Sequence, residues 1–310
     1  MRVLTAEQGN DTPFVTDVAP PPLGPGDLRI RVAAAAINPA DLFVTSGAGR
    51  TVFGLPPTVG LGWDAAGTVT ETGADVTDFA VGDEVAVLHH DLAARVRAHA
   101  ESLVVPASSS ARIPDGLGLE GAATLPLNAL TARQALDLLG PADGRTLLVT
   151  GAAGAVGGFA VALAVQEGWR VTGLGRSADA AFITRAGSAA GSAAGSSAGA
   201  AEAVTGIPGR AAFDAVLDAA ALREAALAAV RDGGAYVGVL PPRPVPSERG
   251  ITTQDVGVRP DGATLAGLLR LAAAGVLEPR VAGTAPLDEA AAAYAKVAAG
   301  GQRGRWLLIP

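Results

Sequence analysis

Residues 146–177 constrain the fold of this 310-residue chain more than any other segment. The apolar run Thr146–Thr150 leads into the turn GAAGAVG at 151–157, then into a predicted helix over 157–167 and a second strand, Arg170–Leu174. Glycines at a strand-to-helix turn let the backbone approach a pyrophosphate, and the helix N-terminus offers N–H donors to it. The pattern predicts a dinucleotide site, and the alternative is a glycine-rich connection that binds nothing. The predicted contacts are Ala152, Gly154, Ala155, Val156 and Gly157.

The end of the second strand indicates which nucleotide is bound. A site for NAD places Asp or Glu there, to accept hydrogen bonds from the adenosine ribose. This chain has Gly175, Arg176 and Ser177 instead. An arginine can pair with the 2′-phosphate of NADPH, which a carboxylate would repel. We therefore predict NADPH rather than NADH, and the alternative for Arg176 is a solvated side chain on a loop.

The remaining pattern divides the chain into two parts. Short alternating runs with frequent turns predict a β-rich, barrel-like domain in the first third, at 28–33, 67–72 and 84–88. From about residue 114, alternating helices and apolar strands predict a parallel sheet. Its predicted helices are 120–139, 157–167 and 222–231, and its predicted strands are 146–150, 170–174, 215–218 and 235–240. Two loops are predicted, a flexible Ser/Ala/Gly tract at 188–201 and an exposed proline-rich segment at 241–249. The last fifty residues predict helices at 263–274 and 287–299 and a strand at 306–309.

Composition excludes several kinds of site. The chain has no cysteine, so a thiol nucleophile, a disulfide and a cysteine-ligated zinc are impossible, and its three histidines have poor spacing for a metal. We expect no metal. The net charge of −7 gives no electrostatic case for nucleic acid or an anionic membrane. Neither a signal peptide nor a long apolar run is visible, so we expect a cytoplasmic protein.

Six motifs in order resemble one known family. They are AAINPAD at 35–41, VGLGWDAAGTV at 59–69, DFAVGDEV at 78–85, ATLP at 123–126 with LTA at 130–132, VTGAAGAVG at 149–157, and RGRWLL at 303–308. Together they resemble the medium-chain dehydrogenase/reductases, in the zinc-independent quinone oxidoreductase (zeta-crystallin-like) branch. The resemblance implies an α/β protein: a GroES-like catalytic domain over 1–117, completed by 262–310, and a Rossmann domain with a doubly wound parallel sheet over 118–261.

The resemblance also implies roles for individual residues. Asn38 and Asp41 match the catalytic motif, and Thr131 matches the start of the helix beside the nicotinamide. Arg303 and Arg305 match a motif near the NADPH phosphate, and Leu240, Val256 and Val258 are further cofactor candidates. A homodimer is implied, with strand 235–240 as the candidate pairing edge.

The function expected from these residues is reduction of a quinone or an α,β-unsaturated carbonyl (enone or enoyl) substrate by NADPH, without zinc. Charge on the acceptor oxygen would be stabilised by the Asn38 amide, the Thr131 hydroxyl and backbone N–H groups of 255–258. A surface histidine, His89 or His90, or solvent would supply the proton. Asn38 could instead be a turn residue and Asp41 a helix cap.

Two departures from the family keep a second function open. The tract at 188–201 alters the wall of the adenine site, and a tyrosine common in the family is absent where Val52 and Phe53 stand. The alternative is a non-redox protein that binds NADPH as a sensor or structural cofactor, or that catalyses a cyclisation.

Overall fold

The computed structural model describes residues 1–193, 201–240 and 245–310, and within them the chain divides into two compact units. The first unit consists of Met1–Leu127, Arg259–Ala273 and Pro279–Pro310, and the second consists of Asn128–Val258 and Ala274–Glu278. The first unit is therefore discontinuous in sequence.

The helices and strands are named in chain order. Residues 1–125 contain β1 (Arg2–Glu7), β2 (Asn10–Asp17), β3 (Asp27–Ala36), α1 (Pro39–Thr45), α2 (Gly47–Phe53), β4 (Thr58–Gly60), β5 (Asp64–Thr72), β6 (Glu84–Leu88), β7 (Ser102–Pro106), β8 (Ser110–Arg112) and α3 (Leu119–Ala123). Next come α4 (Pro126–Leu139), β9 (Thr146–Thr150), α5 (Ala155–Gln166), β10 (Arg170–Leu174), α6 (Ala180–Ala193), β11 (Glu202–Val204), β12 (Phe213–Asp218), α7 (Glu224–Ala229), β13 (Val230–Gly238) and β14 (Thr252–Asp255). The last are α8 (Gly262–Ala273), β15 (Val281–Pro286), α9 (Ala290–Ala298) and β16 (Arg305–Ile309).

The first unit is rich in β-structure. One sheet has the order β2-β1-β4, and a larger one has the order β15-β16-β3-β5-β6-β8, with β7 also paired to β3. Along β3, Leu28, Ile30 and Val32 are buried while the residues between them are less so, as expected for a strand with one face on a core. These side chains pack with Val85 and Leu103 in one apolar cluster.

The second unit is built on one parallel sheet. Its order is β11-β10-β9-β12-β13-β14, and every neighbouring pair in this order is parallel. The order reverses between β9 and β12, as in dinucleotide-binding sheets. Both of these central strands are buried almost continuously, which is why their sequences are apolar runs rather than alternating ones. The predicted fold class, a β-rich domain with a doubly wound parallel-sheet domain, is confirmed.

The predicted helix over 120–139 is two helices. Helix α3 ends at Ala123, and α4 begins at Pro126. The reason is Pro126, which has no N–H to continue a helix and disfavours helical backbone at the residue before it. Proline is well tolerated at the first position of the new helix.

The prediction of a loop over 188–201 is wrong for its first part. Helix α6 continues to Ala193, and Ala190 is buried on it. Alanine is the best helix former, and here its propensity together with this burial outweighs the glycines of the tract. Residues 194–200 of the predicted loop lie outside the described residues. The exposed loop predicted at 241–249 is also partly wrong, because Val245 is buried in an apolar cluster, while 241–244 lie outside the described residues.

The region around β13 differs from prediction in two ways. The helix predicted over 222–231 is only Glu224–Ala229, because Val230 already belongs to β13. The strand predicted over 235–240 is not the sheet edge, since β13 lies between β12 and β14. Within the described residues the edge on this side is β14.

Candidate functional site

The turn between β9 and α5 depends on three glycines. Gly151 has a φ of +59°, a conformation that side chains disfavour. Gly154 is the N-cap of α5, and a Cβ on Gly157 would overlap the Gly151 carbonyl. The first-turn N–H groups of Ala155 and Val156, like that of Gly157, have no carbonyl partner four residues back within the helix. This turn therefore has the close backbone and the donor set that a pyrophosphate needs.

Alanine at position 152 is accommodated by a glycine on the neighbouring strand. Ala152 is fully buried, and its N–H donates to the Leu174 carbonyl at 3.0 Å. A Cβ on Gly173 would lie only 2.9 Å from the Ala152 Cβ. Because Gly173 has no side chain, the space beside it accommodates the methyl group of Ala152. The alanine at the position of the first motif glycine therefore does not open the turn.

Arg176 lies just after the end of β10, in a turn that is fixed by Asp179. The N–H of Gly175 donates to the Val204 carbonyl at 3.0 Å, and Ser177 is exposed. The Asp179 carboxylate accepts from the Arg176 N–H at 3.0 Å and lies 3.6 Å from the Arg176 Nε. The Arg176 side chain remains 62% exposed. The backbone is held by Asp179, and the guanidinium can reach a phosphate in solvent.

The carboxyl ends of β9 and β12 are joined where the strand order reverses. The Thr150 hydroxyl donates to Asp218 at 2.5 Å, and the Tyr236 hydroxyl donates to the other Asp218 oxygen at 2.9 Å. The Ala220 N–H in turn donates to the Thr150 hydroxyl oxygen at 3.0 Å. Burial raises the pKa of Tyr236, and Asp218 adds to this. These bonds hold the segment after β12 against the glycine turn.

In the first unit, the structure brings Asn38 and Asp41 together with Asp64. Asn38 caps α1, and its Nδ2 donates to Asp64 at 2.8 Å and to the Ala36 carbonyl at 3.4 Å. Asp41 is fully buried and accepts from the backbone N–H groups of Asn38 and Gly62, each at 2.9 Å. Both residues thus have structural roles that are visible in their bonds.

Asp64 was not singled out by the sequence analysis, although it lies inside one of the quoted motifs. It is fully buried and also accepts from the Leu127 N–H at 2.6 Å. Burial raises the pKa of Asp64 to about 7, against the opposing hydrogen bonds from Asn38 and Leu127. The carboxyl can therefore hold or release a proton near neutral pH. The polar residues Thr68, Thr70 and Glu71 follow it in β5, so the local sequence does not distinguish Asp64 as a buried carboxylate.

Arg303 and Arg305 also lie in the first unit. Burial lowers the pKa of Arg305, while the charge of Asp64 opposes this effect. Arg303 is partly exposed and donates to the Gln302 carbonyl at 3.5 Å. The structure therefore places Arg305, rather than Arg303, in the electrostatic surroundings of Asp64.

The other predicted residues have varied settings in the second unit. Thr131 is buried on α4, whereas Leu240 follows β13 and is 57% exposed. Val256 is buried, and its N–H donates to the Gly238 carbonyl at 2.9 Å, so it is already engaged. Val258 is partly exposed. Of the backbone donors predicted at 255–258, Val256 is therefore occupied by the sheet.

The three histidines have different environments. His89 was expected at the surface but is 8% exposed, and burial lowers its pKa to about 4, so it is neutral at physiological pH. His90 is exposed. His99 is fully buried, with one ring nitrogen 3.0 Å from the Tyr294 hydroxyl and the other 3.0 Å from the Ala36 carbonyl. His99 and Tyr294 are therefore structural.

The described residues offer neither a metal-binding cluster nor a membrane-spanning helix. They contain no group of three or more His, Cys, Asp or Glu side chains that could hold a metal. Among their helices, none combines the length and apolar character needed to cross a membrane.

Comparisons with known proteins agree with this arrangement. The family model described as "Alcohol dehydrogenase GroES-like domain" matches residues 24–124, and that described as "Zinc-binding dehydrogenase" matches residues 196–308. A quinone oxidoreductase from Pseudomonas aeruginosa is 36% identical over 173 residues, which is 54% of this chain and 50% of that protein. The pikromycin polyketide synthase component PikAII from Streptomyces venezuelae is 38% identical over 171 residues, which is 55% of this chain and 4% of that protein.

The matches to these curated relatives span half of their length or less. Among solved structures, the quinone oxidoreductase from Coxiella burnetii matches with a TM-score of 0.84 and 23% identity, covering 100% of this chain and 99% of the other. That likeness shows the fold. The family models and the curated relatives confirm the resemblance predicted from the sequence, to the medium-chain dehydrogenase/reductases in their quinone oxidoreductase branch.

Proposed function

We propose that this chain is an oxidoreductase that uses NADPH, works without zinc, and reduces a quinone or an α,β-unsaturated carbonyl compound. The observation that carries the proposal is the glycine turn after β9, where a Cβ on Gly157 would overlap the Gly151 carbonyl. Such a turn leaves room for the closest approach of a pyrophosphate to backbone. When bound, NADPH would supply the hydride for the reaction.

The residues of the second unit would hold the nucleotide. The N-terminus of α5, at Ala155, Val156 and Gly157, would bind the pyrophosphate. Arg176 and Ser177 would bind the 2′-phosphate, because the guanidinium is solvent-accessible while its backbone is fixed by Asp179. The Asp179 carboxylate is itself engaged in that turn.

The Asn38 amide is a candidate to stabilise charge on the acceptor oxygen. In the first unit the Asn38 amide donates to Asp64 and, at the longer distance of 3.4 Å, to Ala36. The Ala36 bond is the weaker of the two, so we propose that this N–H turns to substrate while the Asp64 bond fixes the amide. The role expected for the Thr131 hydroxyl stays a prediction from the sequence.

Zinc independence is supported by the chemistry of the side chains. The chain has no cysteine, and the described residues offer no metal-binding group of three His or carboxylate side chains. Stabilisation of developing charge would then come from hydrogen-bond donors.

A titration of NADPH and NADH, followed by fluorescence, tests the nucleotide assignment. We expect tighter binding of NADPH, and we expect Arg176→Gln to weaken NADPH binding about tenfold while leaving NADH unchanged, because only NADPH carries the phosphate. Arg170→Gln is the matched control, since Arg170 is an exposed arginine at the opposite end of the same strand. Equal affinity for both nucleotides in wild type would refute the assignment, and no binding of either would refute the oxidoreductase function.

Turnover separates the proposed reaction from a non-redox role. We expect NADPH oxidation that depends on an added quinone or enone. Binding of NADPH without oxidation by any of these acceptors would instead favour a sensor, structural or cyclising function.

A second substrate class is favoured by the similarity to PikAII and to other polyketide synthases. In that case the acceptor would be an enoyl thioester in a biosynthetic pathway. Measurement of kcat/KM for an enoyl thioester and for a quinone distinguishes these two substrate classes. The compound with the larger kcat/KM identifies the substrate class of the protein.

A homodimer belongs to the same proposal. Strand β14 is one of the two edges of the described parallel sheet, the other being β11, and it replaces the strand expected from sequence as the candidate for pairing. Sedimentation of wild type and of Thr253→Pro tests the homodimer. We expect wild type to sediment as a dimer and Thr253→Pro as a monomer, because proline disrupts pairing within a strand.

A further inference from the structure

The first unit contains a buried arginine that forms no hydrogen bond or ion pair within the described residues. Arg97 lies between β6 and β7, and none of its side chain is exposed. Its Nε, Nη1 and Nη2 atoms form no hydrogen bond with any described residue. A guanidinium is always charged and carries five N–H donors, so burial without an acceptor is strongly unfavourable.

Two neighbours of Arg97 also have unused polar atoms. The Arg97 Cζ lies 4.8 Å from the centre of the Trp63 ring, and the Trp63 Nε1 has no hydrogen-bond partner among the described residues. The His89 backbone N–H donates to the Trp63 carbonyl at 2.7 Å, and the charge of Arg97 contributes to the lowered pKa of His89, so the His89 ring lies near the guanidinium. The ring packed against the Trp63 indole is that of His90, with centroids 5.8 Å apart. The His89 Nδ1 likewise has no partner in the described part of the chain. Trp63 and His89 are 7% and 8% exposed.

The carboxylates in this region do not neutralise Arg97. Asp41, Asp64 and Asp91 are close enough to affect its pKa, which burial lowers. None of them forms an ion pair with it within the described residues: Asp41 and Asp64 accept from Asn38 and backbone N–H groups, and Asp91 accepts from Ala93. The donors around Arg97 therefore lack an acceptor from this part of the protein.

The residue types around Arg97 indicate which kind of ligand would accept hydrogen bonds from these donors. Arginine and the indole N–H can only donate, so a ligand must offer acceptors and a negative charge. A carboxylate matches the guanidinium best, because two oxygens can accept two parallel N–H bonds. The ligand must be small, since Arg97 has no exposed surface and only Trp63 and His89 reach solvent.

We propose that Arg97, Trp63 and His89 form a binding site for a small monovalent anion, best matched by a carboxylate group. The anion reaches the guanidinium when the Trp63 indole shifts away from it, and it then accepts from Arg97 and the Trp63 N–H. The ligand is either a free small carboxylate or the carboxylate end of a larger substrate. Binding of a free carboxylate needs neither the proposed reaction nor a nucleotide, whereas the substrate alternative rests on the proposed function.

The test is a titration of the nucleotide-free protein with sodium formate, with ionic strength held constant by sodium sulfate. Tryptophan fluorescence and the thermal midpoint are followed together. We expect a saturable change in both, and Arg97→Gln should weaken formate binding about 30-fold or more. Arg95→Gln is the matched control, because it removes the same charge from an exposed arginine two residues away.

Two further anions assign the source of the ligand. Stronger binding of crotonate than of formate would assign the site to the carboxylate end of a substrate, and stronger binding of formate would assign it to a free small carboxylate. Equal binding of formate and chloride would contradict the carboxylate match. The absence of a saturable response in wild type, or an unchanged response in Arg97→Gln, would overturn the proposal. If Arg97→Gln fails to fold, Trp63→Phe keeps the ring but loses the N–H donor. It should weaken formate binding several-fold, and unchanged affinity would contradict the proposed contact.

Discussion

Replacement of Asp64 by asparagine should flatten the pH dependence of the protein's stability. Asp64 is fully buried, and burial raises its pKa from 3.8 to about 7. Between these values the folded protein keeps the proton, whereas the unfolded chain releases it. Stability therefore falls as pH rises through this window, and above about pH 7 the loss stays constant.

The size of the effect follows from the pKa. A rise of about three units corresponds to about 4 kcal/mol in total, of which about 3 kcal/mol develops between pH 5 and pH 8. Asp64→Asn has no proton to release, so its free energy of unfolding should fall by about 3 kcal/mol less than that of wild type across this range. Any constant change caused by the new amide cancels in this comparison.

Urea unfolding at several pH values, followed by circular dichroism, measures the difference. Asp75→Asn is the control, because Asp75 is an exposed carboxylate in the same unit and the variant should keep the wild-type slope. If Asp64→Asn shows the same slope as wild type, Asp64 does not titrate in this window. Its proposed capacity to hold a proton near neutral pH would then be refuted.

Two further substitutions test the second unit. Gly157→Ala should destabilise the protein by about 1–3 kcal/mol, because the new Cβ overlaps a backbone carbonyl. Gly26→Ala is the control, since its Cβ meets open space and should change stability little. Thermal unfolding compares the two variants, and equal midpoints for both would contradict the described packing of the glycine turn. Tyr236→Phe removes a donor to buried Asp218 and should destabilise by about 1–2 kcal/mol in urea unfolding, and an unchanged midpoint would show that this bond contributes nothing.

The elements that sequence predicted best are those specified by local chemistry. The glycine turn between β9 and α5 is visible because glycines are required at particular backbone positions, and the central strands because burial on both faces demands apolar runs. Helix α6 was not predicted, and its second half lies in a tract of Ala, Gly and Ser whose helix propensities oppose one another. Burial of Ala190 against the rest of the unit cannot be read from that composition.

The candidate site was predictable only in part, for a related reason. Arg176 follows a recognisable strand, so its position could be deduced from the βαβ pattern. The raised pKa of Asp64 and the isolation of Arg97 arise from burial among segments distant in sequence. No local sequence pattern around Asp64 or Arg97 indicates that its side chain is buried. The same is true of β14, whose place at the sheet edge depends on pairing with β13.

The pairing of β16 with β3 sets an order of events during synthesis. Leu307 lies opposite Ala36, so β3 leaves the ribosome long before its partner strand exists. All of the second unit is made in that interval, and its parallel sheet can form first. A nascent chain that stops before β16 would thus carry a finished sheet in one unit and an open strand edge in the other. Such an edge is a template for aggregation, and we expect chaperones to be needed at that stage.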